Sequence, residues 1–91
     1  MPVAIRITPH NMSKQDYEST IAELNASGAA EPEGRLFHAA YGGGDDVHMF
    51  EVWESQGQFE AHRDQVYATL QGSTLSTAPV EIHELHSARP D

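Results

Sequence analysis

From Val47 to Glu54 the chain alternates. Val47, Met49, Glu51 and Trp53 fall on one side of an extended strand, and His48, Phe50, Val52 and Glu54 fall on the other. Both sides are largely apolar, which predicts a strand covered on two faces and central in its sheet. The period then changes. Ser55 is a helix N-cap, with Gln58 at the capping-box position. Phe59, His62, Val66 and Leu70 follow at the spacing of one helical stripe, and Gly72 stands where the helix would stop.

The same reading extends to the flanks. Val3, Ile5 and Ile7 alternate with Ala4, Arg6 and Thr8, a strand over 3–8 that Pro9 ends. Ser13 caps a helix, with Asp16 at the capping-box position and near the positive end of the dipole. Tyr17, Ile21 and Leu24 form its apolar stripe, and Gly28 its stop. Residues 29–34 read as a loop and 36–41 as a second strand. After a polar connection over 73–79, Val80, Ile82 and Leu85 mark a last strand near 80–86, and 87–91 a frayed tail.

The glycines of Tyr41-Gly-Gly-Gly-Asp-Asp46 predict a hairpin between the second and third strands. A loop over Gly42–Asp45 pairs Tyr41 with Asp46, sets His38 opposite Met49 and Leu36 opposite Glu51, and makes His38 and Glu51 diagonal neighbours. Leu36, His38, Ala40, Met49, Glu51 and Trp53 then share a face. A loop one residue shorter would set His38 opposite His48 instead.

Strand, helix, strand, strand, helix, strand is the ferredoxin-like order, an α+β domain whose antiparallel sheet carries both helices on one face. The helices cover one side only. Apolar residues on the other predict a partner, most economically a second copy packing sheet to sheet. At 91 residues the chain makes one domain, with a smaller buried share than a longer chain would have. Its net charge of -9, from 14 acidic and 5 scattered basic residues, argues against nucleic acid and anionic membranes as partners. There is no cysteine, hence no disulfide or thiolate chemistry. The N-terminal MPVAIRITPH has no long apolar run, so the expectation is a cytoplasmic protein.

Gly34 to His38, the Gly42–Asp45 turn, Val52-Trp-Glu-Ser55 with Phe59, and Val80 to His86 together resemble the dimeric α+β barrel superfamily. The resemblance spans most of the chain and is closest to small bacterial members related to antibiotic-biosynthesis-type monooxygenases. It implies a homodimer with a pocket between sheet and helices in each protomer. It leaves the activity open, since cofactor-free monooxygenases, haem-binding enzymes, isomerases and stress proteins share the fold. Haem-degrading members carry an Asn, Trp and His set; here Trp53 lies on a strand and their haem-ligating His has no counterpart, so no cofactor is expected.

His38 with Glu51 is the pair that points to chemistry. A carboxylate beside an imidazole fixes its tautomer and suits it to act as a base; the plainer reading is a hydrogen-bonded pair that orders the core. Trp53 could wall a pocket for a flat ligand or be core. Tyr17 and His62, from the two helices, and Met49, on the face of Glu51, are the remaining candidate ligand contacts. Tyr17 and His62 each have a bland reading as core residues. His83 and His86 are three apart and so on opposite faces of a strand, and no metal is expected. No P-loop, nucleophile elbow or dinucleotide fingerprint is present in the sequence. The function read from these residues is binding of a small apolar or aromatic molecule between sheet and helices. The alternatives are a cofactor-independent monooxygenase or isomerase, and a structural or stress-response dimer.

Overall fold

The computed structural model describes residues 2–28, 32–69 and 78–86. The elements run β1 (Val3–Ile7), α1 (Lys14–Ser27), β2 (Arg35–Tyr41), β3 (His48–Trp53), α2 (Gln56–Thr69) and β4 (Val80–Glu84). The sheet order is β2-β3-β1-β4 with every pairing antiparallel, the predicted ferredoxin-like arrangement. The expected contributions of Leu70, Gly72 and the tail beyond His86 lie outside the described residues.

Local chemistry sets the boundaries as the sequence suggests. Ser13 forms a full capping box with Asp16, and Gly28 closes α1 in the left-handed region at φ 81°. At α2 the Ser55 hydroxyl accepts from the Gln58 backbone N–H at 3.2 Å. The Gln58 side chain meets that hydroxyl at 3.0 Å, in place of the second half of a capping box.

Ile5 and Trp53 are fully buried on the two central strands. With Val3 and Phe59 they form one core cluster, and Met12, Leu24, Val47, Met49 and Val66 form another. Both clusters lie on the helix side of the sheet. The far side, by contrast, leaves Phe37 and Tyr41 52% and 45% exposed, together with Leu36 at 57% in the bulge described next.

The hairpin differs from the expectation in two places. Tyr41 pairs with His48, not Asp46, so His38 sits directly opposite Glu51 rather than opposite Met49. The reason lies in the loop. Asp46 N–H closes on Gly43 C=O at 3.1 Å, and Val47 N–H goes to Met12 C=O at 2.9 Å, so both leave the β2 ladder. The register moves by two residues, which preserves the face of each side chain. The variant with His38 opposite His48 does not occur; His48 lies on the far face, edge-on to Tyr41. The second difference is a bulge between Arg35 and Phe37. It puts Leu36, expected beside His38, out into solvent and turns Arg35 onto the face of Trp53 and Glu51 instead.

Candidate functional site

β3 delivers Glu51 to the interior at 4% exposure, where an unpaired carboxylate would be costly. Three donors converge on it. His38 Nδ1 lies 2.7 Å from Oε2, Trp53 Nε1–H donates to Oε1 at 2.9 Å, and Arg35 Nη1 reaches Oε2 at 3.4 Å. Burial by itself raises the Glu51 carboxyl, but the hydrogen bonds of His38 and Trp53 and the charges of His38 and Arg35 outweigh it. The group is held below its ordinary value of 4.5.

An ionised carboxylate only accepts, so His38 must be the donor at Nδ1. In the neutral ring Nε2 then carries the lone pair, and it meets the Tyr17 hydroxyl at 2.8 Å. The two rings are nearly parallel, 6° apart. Burial pushes the Tyr17 phenol up; Arg35 opposes this and Glu51 adds to it. Tyr17 therefore keeps its proton, and its O–H donates a hydrogen bond to His38 Nε2. The result is an ordered line, phenol to imidazole to carboxylate, with the logic of a hydrolase triad in which a carboxylate orients a histidine that takes a proton from a hydroxyl.

The line borders a cavity of about 60 Å³ between sheet and helices. Tyr17, His38, Met49, Glu51 and His62 all line it, so five of the six predicted site residues meet there. Trp53 does not line it. Its ring packs edge-on against Phe59 at 5.8 Å and tilted against His62 at 5.3 Å, and its N–H holds Glu51. The bulge adds Arg35 to the lining, which the strand pattern missed. A buried Glu in a strand needs donors, and that requirement was the available signal for a cation nearby. Burial lowers the His62 imidazole below its ordinary 6.5; Glu51 opposes, and Arg35 and His38 add to the fall.

The other histidines lie elsewhere. His48 pairs with Asp46 at 3.0 Å and His83 with Glu81 at 3.3 Å, both on the surface. Among the described residues no three His, Asp or Glu side chains gather as a metal site would require. Among the same residues, no helix is long and apolar enough to cross a membrane.

The family model described as antibiotic biosynthesis monooxygenase matches residues 2–69. No curated protein matches the chain in sequence. Among solved structures, SnoaB of Streptomyces nogalater, a cofactor-independent oxygenase, is similar with a TM-score of 0.59 at 16% identity, covering 99% of this chain and 96% of that one. NE2512 of Nitrosomonas europaea, a protein of unknown function, gives 0.61 at 18% identity over 99% and 92%. A conserved protein of Methanosarcina mazei Go1 gives 0.59 at 11% identity over 91% of each chain. At these identities the likeness carries the fold and not the chemistry.

Proposed function

Because the chain belongs to the antibiotic biosynthesis monooxygenase family, we propose that it is a homodimeric enzyme that binds a small aromatic molecule in the helix-side cavity and removes a proton from it. The observation that supports this is the Tyr17–His38–Glu51 line at the cavity wall. A substrate hydroxyl or acidic C–H donates to a lone pair of Tyr17 Oη. As that proton arrives, the Tyr17 proton passes to His38 Nε2, and the resulting imidazolium is stabilised by Glu51. Arg35 and Trp53 keep Glu51 fixed and ionised throughout.

An anion made this way from an activated ring methylene is electron-rich enough to reduce O2 without a cofactor. One electron passes to O2, and the radical pair joins as a C–O bond. The peroxide anion takes back the relay proton and becomes a hydroperoxide. Loss of the remaining C–H proton, with cleavage of the O–O bond, then releases hydroxide, and proton and hydroxide combine. The methylene and O2 have become a ring ketone and water. The same relay with the proton returned to another carbon would be an isomerase. Family membership favours the oxygenase.

The homodimer rests on the far sheet face. Phe37 and Tyr41 are about half exposed there, with Phe50 edge-on to Phe37 at 6.3 Å, and Leu36 is exposed in the neighbouring bulge. A second copy covering them is the economical closure.

One observation favours a second reading, a dimer with a solid interior. A cavity of about 60 Å³ is far below the several hundred Å³ of a typical ligand site. The wall that would have to yield is α1, whose buried residue is Leu24 alone.

The test pairs binding with turnover. Naphthols and anthrone serve as probes, followed by thermal shift and by oxygen uptake. Tyr17→Phe and His38→Asn should keep probe binding within a few-fold and lose about 100-fold or more of turnover, the usual worth of a positioned acid–base group. Turnover unchanged in His38→Asn would remove the relay from the chemistry. No probe shifting the wild type would favour the solid dimer.

A further inference from the structure

Moving one proton from a neutral substrate to His38 creates two charges, an imidazolium and a substrate anion. The imidazolium has its partner in place, since Glu51 Oε2 lies 2.7 Å from Nδ1. The anion needs a partner too, because an unpaired charge away from water is costly. Two guanidinium groups line the cavity, in a chain whose 5 basic residues stand against 14 acidic ones. Arg63 is the outer one. It reaches Glu60 at 3.9 Å, lies over the Phe59 ring at 5.5 Å and has the more exposed side chain. Arg35 is the inner one, turned onto the face of Trp53 and Glu51 by the β2 bulge. Bulges beside active sites commonly re-aim a side chain in this way. Its contact with Glu51, at 3.4 Å, is the longest of the three, and each carboxylate oxygen has a shorter one, to His38 or Trp53. The charge of Arg35 bears on Tyr17, Glu51 and His62 alike, which places it among all three.

Resting on the proton-removal reading above, we infer that Arg35 is a further catalytic residue, whose guanidinium holds the oxyanion that proton removal leaves on the substrate. The charges then pair as they form. Glu51 answers the imidazolium, and Arg35, beside Glu51, answers the substrate oxygen. Before the step Arg35 and Glu51 cancel; after it the four charges cancel again, so the site never carries a net charge it must solvate. Arginine suits the task because it stays charged at any working pH and presents a planar fork of donors. The neutral substrate meets the same guanidinium with no charge of its own. The interaction therefore strengthens as the proton leaves, and it speeds the step rather than only tightening binding.

The experiment reads the ionisation of a bound probe, 2-naphthol, whose neutral and anionic forms absorb at different wavelengths. The full-length chain is titrated with pH at saturating protein, beside the free probe. In the wild type the bound probe should ionise about 1–3 pH units below the free one, the range for an opposite charge a few ångströms away. Arg35→Gln should abolish that shift. Arg35→Lys keeps the charge and should keep part of it, and Arg63→Gln should keep nearly all of it. With anthrone, Arg35→Gln should lower kcat about 100-fold and leave KM within a few-fold, the pattern of a contact made as charge develops. An Arg35→Gln protein with the wild-type shift would overturn the inference while leaving the relay intact. So would Arg35→Lys losing as much as Arg35→Gln, or Arg63→Gln losing as much, because the charge of Arg35 would then not be what holds the anion. His38→Asn separates the two readings: it removes the relay's acceptor and should keep a lowered value, since Arg35 remains. A shift lost with His38 and kept without Arg35 would assign the anion to the imidazolium and sink the inference. If 2-naphthol does not bind the wild type, the pocket itself is refuted and this inference falls with it.

Discussion

Glu51 is ionised inside the protein, and His62 is neutral there, so acid acts on both in the same direction. The folded value of Glu51 lies below its ordinary 4.5. The unfolded chain therefore takes that proton first, and the stability Glu51 contributes is present above that value and lost as pH falls through the folded one. His62 also lies below its ordinary 6.5, so its contribution is present above that value and declines as pH drops from there toward the folded value. Thermal unfolding between about pH 3 and pH 7 should show two overlapping losses. Glu51→Gln should flatten the lower one, and His62→Phe the upper one. Glu51→Gln should also cost about 1–3 kcal/mol at neutral pH, because the donors of His38, Arg35 and Trp53 lose a charged acceptor. A Glu51→Gln protein with an unchanged acid limb would show that the carboxylate is not held by its partners.

At the level of elements, the hairpin and α1 carry the site. Gly42 sits at φ 109°, and a Cβ there would fall 2.3 Å from the Asp46 carbonyl oxygen. Gly42→Ala should therefore destabilise by at least about 1–3 kcal/mol, read by urea unfolding. It should also disturb the register that sets His38 opposite Glu51. Wild-type stability in Gly42→Ala would mean that the loop tolerates another path. α1 is the loosest wall of the cavity, with Tyr17 and Ile21 only half-buried and Leu24 its buried residue. Its amides should exchange with solvent well before those of β1 and β3, whose side chains form the core. An α1 that exchanges as slowly as β3 would leave a closed cavity with no evident way to admit a ring system.

For the whole molecule, the sheet has two apolar faces and two helices that cover one of them. Phe37→Glu places a charge on the uncovered face, on edge strand β2 beside Phe50 of β3. It should turn a dimer into a monomer at micromolar concentration by analytical ultracentrifugation, with the monomer's own fold kept. A wild type that sediments as a monomer would refute the sheet-to-sheet dimer, and a Phe37→Glu dimer would place the contact elsewhere.

The strand and helix periods, the Ser13 and Ser55 caps and the Gly28 stop were legible because each depends on neighbours within a turn or a pleat. The shared face of His38 and Glu51 was legible for the same reason, since a shift of two residues leaves side-chain faces unchanged. The register itself was not, because Val47 gives its N–H to Met12, a residue from another part of the chain. Nor was the exchange of Leu36 for Arg35, which a bulge imposes without any mark in the period of the strand. Trp53 could be placed on the right face but not assigned a partner. Only packing decided that its N–H serves Glu51 and that Tyr17, from a separate helix, meets His38. Outside the bulge, sequence alone thus determined which strand residues face inward, because that follows from local geometry. The folded structure decided which of them touch, because contacts between distant segments depend on how elements stack and where their backbone hydrogen bonds are satisfied.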